Sequence, residues 1–117
     1  MKKHIVVMDV EGYFQIKNYL VGLKQSNKLD NDKFIQKFYQ AFAVDSCIKI
    51  DRGKRLFDNP ICTVEFYLDN NQTMLSTVGL FCREHAIDQN RENPHLAKAL
   101  FTLKDYISSE LMDLLNL

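Results

Sequence analysis

The chain has 117 residues, which is enough for one domain with its own hydrophobic core and too short for a second. Its 15 basic and 15 acidic residues give a formal net charge of zero, so no overall field draws it to nucleic acid or to an anionic membrane. The three cysteines are widely spaced and set in apolar sequence, which predicts free thiols in a cytoplasmic protein.

The first part of the chain predicts one strand followed by two helices. Residues 4–10 are rich in β-branched side chains and hardly alternate, which predicts a short strand with much of both faces covered. This apolar run is too short for a signal-peptide core or a membrane span, so we expect a soluble, unprocessed chain. A helix beginning near Tyr13 follows, and Asn31 or Asp32 caps a second one. The inner faces of these helices are predicted to contain Tyr13, Ile16, Leu20, Leu23, Phe34, Ile35, Phe38 and Phe42.

The second part changes to an alternating pattern. It predicts a strand at residues 47–50, a charged turn at 51–55 in which Gly53 takes positive φ, and a hairpin with strands 61–68 and 73–81 around the polar loop 69–72. Asn93 and Pro94 then begin a last helix that runs nearly to the C-terminus. The order β-α-α-β-β-β-α predicts a single α+β domain spanning residues 1–117, with a mostly antiparallel sheet of three to four strands and three helices packed on it.

Asp9 and Glu11 end the first strand. Two carboxylates one residue apart can reach the same point and share a divalent metal. The segment "IVVMDVEG" resembles the first acidic motif of the DnaQ-like 3′–5′ exonucleases, which implies a metal-dependent nuclease using these two residues. That family needs further acidic positions and a His or Tyr base, for which Asp30, His85 and Asp88 have unsuitable spacing. The alternative is a pair of acids facing water at a strand end.

Cys82 and His85 in "CREH" have the spacing of two zinc ligands, and Cys47 or Cys62 with His95 would have to complete the site. No second closely spaced ligand pair follows, so the sequence favours buried structural thiols and no metal. A Cys-His nucleophilic pair would need a cation or a helix N-terminus to lower the pKa of its thiol, and the apolar setting of these cysteines does not supply one.

Two further stretches are candidates for binding. The cationic turn with Lys49, Arg52, Lys54 and Arg55 would suit the phosphates of nucleic acid, or it is simply a solvated turn. The end of the last helix crowds apolar side chains into two turns, which predicts a surface for another protein or for a second copy of the chain. The residues assigned to this surface are Leu111, Met112, Leu115 and Leu117.

None of these candidate motifs amounts to a complete catalytic site. The sequence therefore predicts a small non-enzymatic protein, without a cofactor, that binds another protein or itself and acts by occluding a macromolecular partner. Immunity proteins, antitoxins and phage-encoded inhibitors are of this type. The alternatives are a metal-dependent nuclease using Asp9 and Glu11, or a nucleic-acid-binding accessory protein using the basic turn between Arg52 and Arg55.

Overall fold

The computed structural model describes residues 1–56 and 58–116. The elements in these residues are β1 (Lys2–Asp9), α1 (Val10–Gln25), α2 (Lys33–Tyr39), a π-helical segment (Gln40–Val44), β2 (Cys47–Leu56), β3 (Asn59–Leu68), α3 (Gln72–Gln89) and α4 (Pro94–Leu114). Three strands form one antiparallel sheet in the order β1-β3-β2 across the described part of the chain. The predicted α+β class is confirmed, with one strand fewer and one helix more than the predicted order.

The sheet has two chemically different faces. The side chains of the inner face point at the helices and are buried: His4, Val6 and Met8 of β1, and Cys62, Val64, Phe66 and Leu68 of β3. Ile5 and Val7 lie between these β1 residues and are exposed. The prediction that β1 is covered on both faces is therefore wrong, because β-branched residues suit a pleated strand whichever face they occupy.

The first two helices begin at aspartate caps, of which Asp32 was predicted and Asp9 was not; α1 begins at Val10, before the predicted start near Tyr13. The Asp9 carboxylate accepts a hydrogen bond from the backbone N–H of Gly12, and the Asp32 carboxylate accepts one from Phe34 N at 2.7 Å. The predicted inner faces are confirmed at Tyr13, Ile16, Leu20, Ile35, Phe38 and Phe42, which are buried, whereas Leu23 and Phe34 are partly buried.

α2 widens into the π-helical segment before the chain enters β2. The backbone N–H of Asp45 donates to the carbonyl of Gln40 at 2.9 Å, which is the longer reach of a π turn. The hydroxyl of buried Tyr13 donates to the Phe42 carbonyl at 3.1 Å. This bond satisfies an acceptor in the segment and ties the segment to α1.

The charged stretch 51–55 does not form the predicted turn. It lies within β2, whose pairing with β3 shifts register between Asp51 and Arg55 and leaves the residues between them out of the regular ladder. Gly53 does not take positive φ; instead Asp58, beyond the end of β2, has φ of 66°. Aspartate tolerates this left-handed conformation, so the reversal occurs later than the glycine suggested.

Residues 73–81 form the first half of α3, so the predicted return strand is wrong. Asn71, assigned to a hairpin loop, instead caps α3 by accepting from Met74 N at 2.9 Å. The buried residues of α3 recur at intervals of three and four and continue past the predicted strand: Met74, Leu75, Val78, Phe81, Cys82 and Ala86. α3 then packs closely along α4, whose predicted cap Asn93 and first-turn Pro94 are confirmed. No helix in the described residues combines the length and apolarity that a membrane crossing requires.

Candidate partner-binding surface

The outer face of the sheet points away from the helices. It consists of Lys3, Ile5 and Val7 of β1, Ile61, Thr63, Glu65 and Tyr67 of β3, and Cys47 and Lys49 of β2, as the register of the strands dictates. Its large apolar side chains are well exposed: Ile5 by 47%, Val7 by 57% and Tyr67 by 55%. An exposed group of large apolar side chains on one flat surface is typical of a contact with another macromolecule.

Glu65 is the acidic centre of the outer face. Its carboxylate lies 3.3 Å from the ammonium group of Lys3 and 3.7 Å from that of Lys49. Such surface ion pairs contribute little to stability. They do neutralise the one carboxylate that a partner would have to cover on this central strand, which lowers the cost of removing the face from water.

The free edge of β1 is occupied by α4. The backbone N–H of Ile5 points away from β3 and donates to the hydroxyl of Tyr106 at 3.2 Å, and this hydroxyl donates to Glu110 at 2.8 Å. The opposite edge strand, β2, is interrupted by the register shift and carries exposed charges. Both edges therefore oppose strand-to-strand pairing with another chain, which leaves the outer face as the accessible part of the sheet.

Tyr106 also determines which ring nitrogen of the fully buried His4 carries the proton. Because the Tyr106 hydroxyl gives its proton to Glu110, it accepts from His4 Nδ1 at 3.0 Å, so Nδ1 carries the proton. Nε2 is then an unprotonated acceptor, and it has no hydrogen-bond partner among the described residues. Burial lowers the pKa of His4, although the nearby Glu110 carboxylate opposes this effect.

The residues at the C-terminal end of α4 that the sequence assigned to partner binding differ in their exposure. Met112 and Leu115 are exposed by 52% and 40%. Leu111 is partly buried against the core, as is Leu114. Leu117 lies outside the described residues. Two of the four assigned side chains are thus free to meet a partner, and their role in binding stays a prediction.

The four basic residues assigned to nucleic acid all lie on β2 and are exposed. Lys49 is paired with Glu65, and Arg55 Nη1 donates to the carbonyl of Asp58 at 2.8 Å. Segment 49–55 contains four cations and only one acid, Asp51, so it forms a cationic flank beside the outer face. Its contact with nucleic acid remains a prediction.

Asp9 and Glu11 meet His95, which the sequence did not connect with them. His95 Nε2 lies 3.3 Å from both oxygens of Asp9, and Nδ1 lies 3.6 Å from Glu11 Oε1. Since Asp9 also caps α1 and His95 stands in the first turn of α4, this contact joins the beginnings of two helices. Among the described residues, no group of three or more His, Cys, Asp or Glu side chains could hold a metal ion.

The cysteines and His85 form no candidate metal site among the described residues, although Cys82 and His85 lie one turn apart on α3. Burial raises the pKa of Cys62 to about 11 and that of Cys82 to about 12, so both thiols stay protonated and unreactive at neutral pH. Cys47 is exposed on the outer face. His85 Nδ1 is hydrogen-bonded to the hydroxyl of Tyr19, and burial lowers the pKa of its imidazole.

Ile5 and Val7 were not assigned to binding from the sequence. Both residues are apolar like the buried Val6 and Met8, so composition gave no indication of which face they occupy. The alternation along β3, which places Tyr67 and Phe66 on opposite faces of the sheet, was the available clue. No protein-family model, curated protein or solved structure matches this chain.

Proposed function

We propose that this chain is a non-enzymatic inhibitor or regulator that binds another protein through the outer face of its sheet and occludes that protein's working surface. Immunity proteins, antitoxins and phage-encoded inhibitors act in this way. The observation that carries the proposal is the exposure of Ile5, Val7 and Tyr67 on a face that none of the described helices covers. The engagement of Asp9, Cys62 and His85 in structural contacts supports a binding role over a catalytic one.

Charge indicates the kind of partner. The centre of the outer face is apolar with a neutralised Glu65, and segment 49–55 beside it is cationic. The complementary surface is an apolar patch with an acidic rim on a different protein. The apolar centre would supply most of the affinity, because full burial of a Val or Ile side chain contributes about 1.5–3 kcal/mol and these half-exposed side chains have roughly half of that still to gain. The cationic flank would mainly increase the association rate, in a manner that salt suppresses.

The test is affinity capture from the native host with the tagged wild type, Val7→Glu and Ile87→Glu. Ile87 lies on α3, away from the sheet, and is 53% exposed, so it matches Val7 in exposure and receives the same charge. Recovered protein and nucleic acid are identified, and the affinity for the purified partner is then measured. We expect Val7→Glu to weaken binding at least tenfold, by about 1.4 kcal/mol or more, and Ile87→Glu to leave it unchanged.

Equal effects of the two substitutions would refute the proposal. So would the loss of capture in an Arg52→Glu and Arg55→Glu double variant together with recovery of nucleic acid by the wild type, which would establish the nucleic-acid-binding alternative. A partner that remains bound to Val7→Glu but is lost when Met112 and Leu115 are replaced by glutamate would move the site to the end of α4. Retention of only the chain itself would show that the partner is a second copy.

A further inference from the structure

A cavity of about 380 Å³ opens at the end of the sheet where β3 leads into α3. Its floor is formed by Leu68 and Met74, which are both buried, and Ala41 of the π-helical segment and Tyr67 form part of the wall. Tyr67 also belongs to the outer face, so the cavity opens beside the proposed binding surface. A pocket of this size with a mainly apolar lining is large enough for a single extended side chain or a small ligand.

The two carboxylates that line the cavity differ in whether a cation lies close to them. Lys37 and Asp69 form an ion pair at 3.1 Å and neutralise each other. Asp45 accepts a hydrogen bond from Gln40 Nε2 at 3.1 Å, but no cationic group of the described residues lies within 4.0 Å of its carboxylate. Met1, which carries the cationic terminal amino group, also lines the cavity, so the charges of the lining residues sum to zero. Asp45 is nevertheless the carboxylate of the lining that has no cation of the described residues at contact distance, and it shares the cavity with the Tyr67 ring and the apolar floor.

Asp45 stands at an unusual place for a carboxylate. It follows directly on the π-helical segment, where the unpaired carbonyl groups at the end of a helix make the local potential negative. An acid at this position is unfavourable for the helix unless a cation neutralises it. π-helical segments are frequent at functional sites, and this one supplies Gln40 and Ala41 to the cavity.

We propose that this cavity binds a primary ammonium or guanidinium group carried on an apolar stem, with the charge at Asp45 and the stem along Tyr67 and Met74. Lysine and arginine side chains have this form. The assignment of this group to a side chain of the protein partner rests on the proposed function. The binding of a cation in the cavity does not depend on that function.

The test is a titration of the full chain, followed by NMR chemical shifts, with the blocked amino acids N-acetyl-lysine methylamide and N-acetyl-arginine methylamide. N-acetyl-norleucine methylamide is the control probe, because it has the stem and lacks the charge. We expect the two cationic probes to bind with dissociation constants on the order of millimolar and to shift residues lining the cavity. Norleucine should bind at least threefold more weakly.

Three variants test whether the Asp45 charge and the space of the cavity are responsible for the binding of the probes. Asp45→Asn keeps the acceptor for Gln40 but removes the charge, and it should weaken the lysine probe about three- to fivefold without affecting norleucine. Asp105→Asn removes an equal charge from an exposed position of α4 outside the cavity and should change neither. Ala41→Leu should fill the cavity and weaken all three probes, with an unchanged melting temperature showing that the fold is intact.

Equal binding of lysine and norleucine, or no effect of Asp45→Asn, would overturn the proposal. n-Butylamine is a fourth probe. Binding of this free amine more than tenfold tighter than either blocked amino acid would overturn the assignment to a partner's side chain and identify a small-amine site. Because these titrations need no partner, their failure leaves the capture result for Val7→Glu untouched. A failed capture experiment equally leaves the cavity result standing.

Discussion

The replacement of Gly12 by alanine should destabilise the protein, although alanine is the better helix former. Gly12 lies in the first turn of α1, where the helix passes close to α4. A Cβ atom at this position would lie 2.6 Å from Asp9 Oδ1 and 3.1 Å from the Cβ of Ala99. The first distance is shorter than real contacts of this kind, and the second requires the two helices to separate by a few tenths of an ångström. The substitution therefore disturbs both the cap of α1 and its packing.

The magnitude follows from three opposing effects. Alanine in a helix gains at most about 1 kcal/mol over glycine. Displacement of the Asp9 cap costs about 0.5–2 kcal/mol. Overpacking of a close contact costs about 1–3 kcal/mol. The expected net loss is about 1–3 kcal/mol in the free energy of unfolding, which for a chain of this length lowers the melting temperature by about 4–12 °C.

Gly22→Ala is the matched control on the same helix. A Cβ atom there meets nothing within 4 Å, so only the helix propensity changes and stability should rise by about 0.5–1 kcal/mol. Chemical denaturation at neutral pH measures both variants. In an Asp9→Ala background, which has no cap to lose, the cost of Gly12→Ala should shrink by the share that the cap contributed. A Gly12→Ala protein as stable as the wild type would refute the reasoning.

Further predictions concern protonation, the end of α4 and catalysis. Because the pKa of His4 is lowered in the folded state, wild type should lose stability relative to His4→Phe below a pH of about 6.5, by up to about 1.4 kcal/mol per pH unit. Above that pH the stability difference between the two proteins should be constant. Denaturation at a series of pH values measures this difference, to which His85 contributes equally in both proteins. A difference independent of pH would refute this. Met112→Glu with Leu115→Glu should leave the melting temperature near that of the wild type, because both side chains are exposed, and a double variant that unfolds would place them in the core. With Mg²⁺ or Mn²⁺ the protein should leave single- and double-stranded DNA intact, and cleavage that disappears in Asp9→Ala would establish the nuclease alternative.

Local sequence patterns predicted a helix correctly where a capping residue precedes apolar residues at helical spacing. Asp32 and Asn93 each precede an apolar stripe, and both begin helices. The segment 73–81 was misassigned because its β-branched residues and its glycine suit a strand when read over a short window. The stripe from Met74 to Ala86 becomes evident only when the segment is extended into the residues that follow. The local strand propensity of segment 73–81 was overridden by the burial of a continuous helical face against α4.

The candidate surface was harder to predict than the fold. Its exposed apolar members Ile5, Val7 and Tyr67 lie on β1 and β3, which are far apart in sequence but pair so that Val7 lies opposite Thr63 and Lys3 opposite Tyr67. Only the register brings them together. The meeting of Asp9 with His95 depends in the same way on the placement of two helix beginnings side by side. Spacing along one segment could not indicate either contact, because both depend on pairing between distant segments.

β1 shows why binding and stability are separable in this fold. Val6 and Val7 are chemically identical neighbours, yet Val6 is 4% exposed and Val7 is 57% exposed. The inner residue stabilises the fold by leaving water once, during folding. The outer residue stays in water until a partner arrives, so the free energy of its burial remains available for association. A sheet covered by helices on one face can therefore change the residues of its outer face, and with them its partner, at little cost to the core.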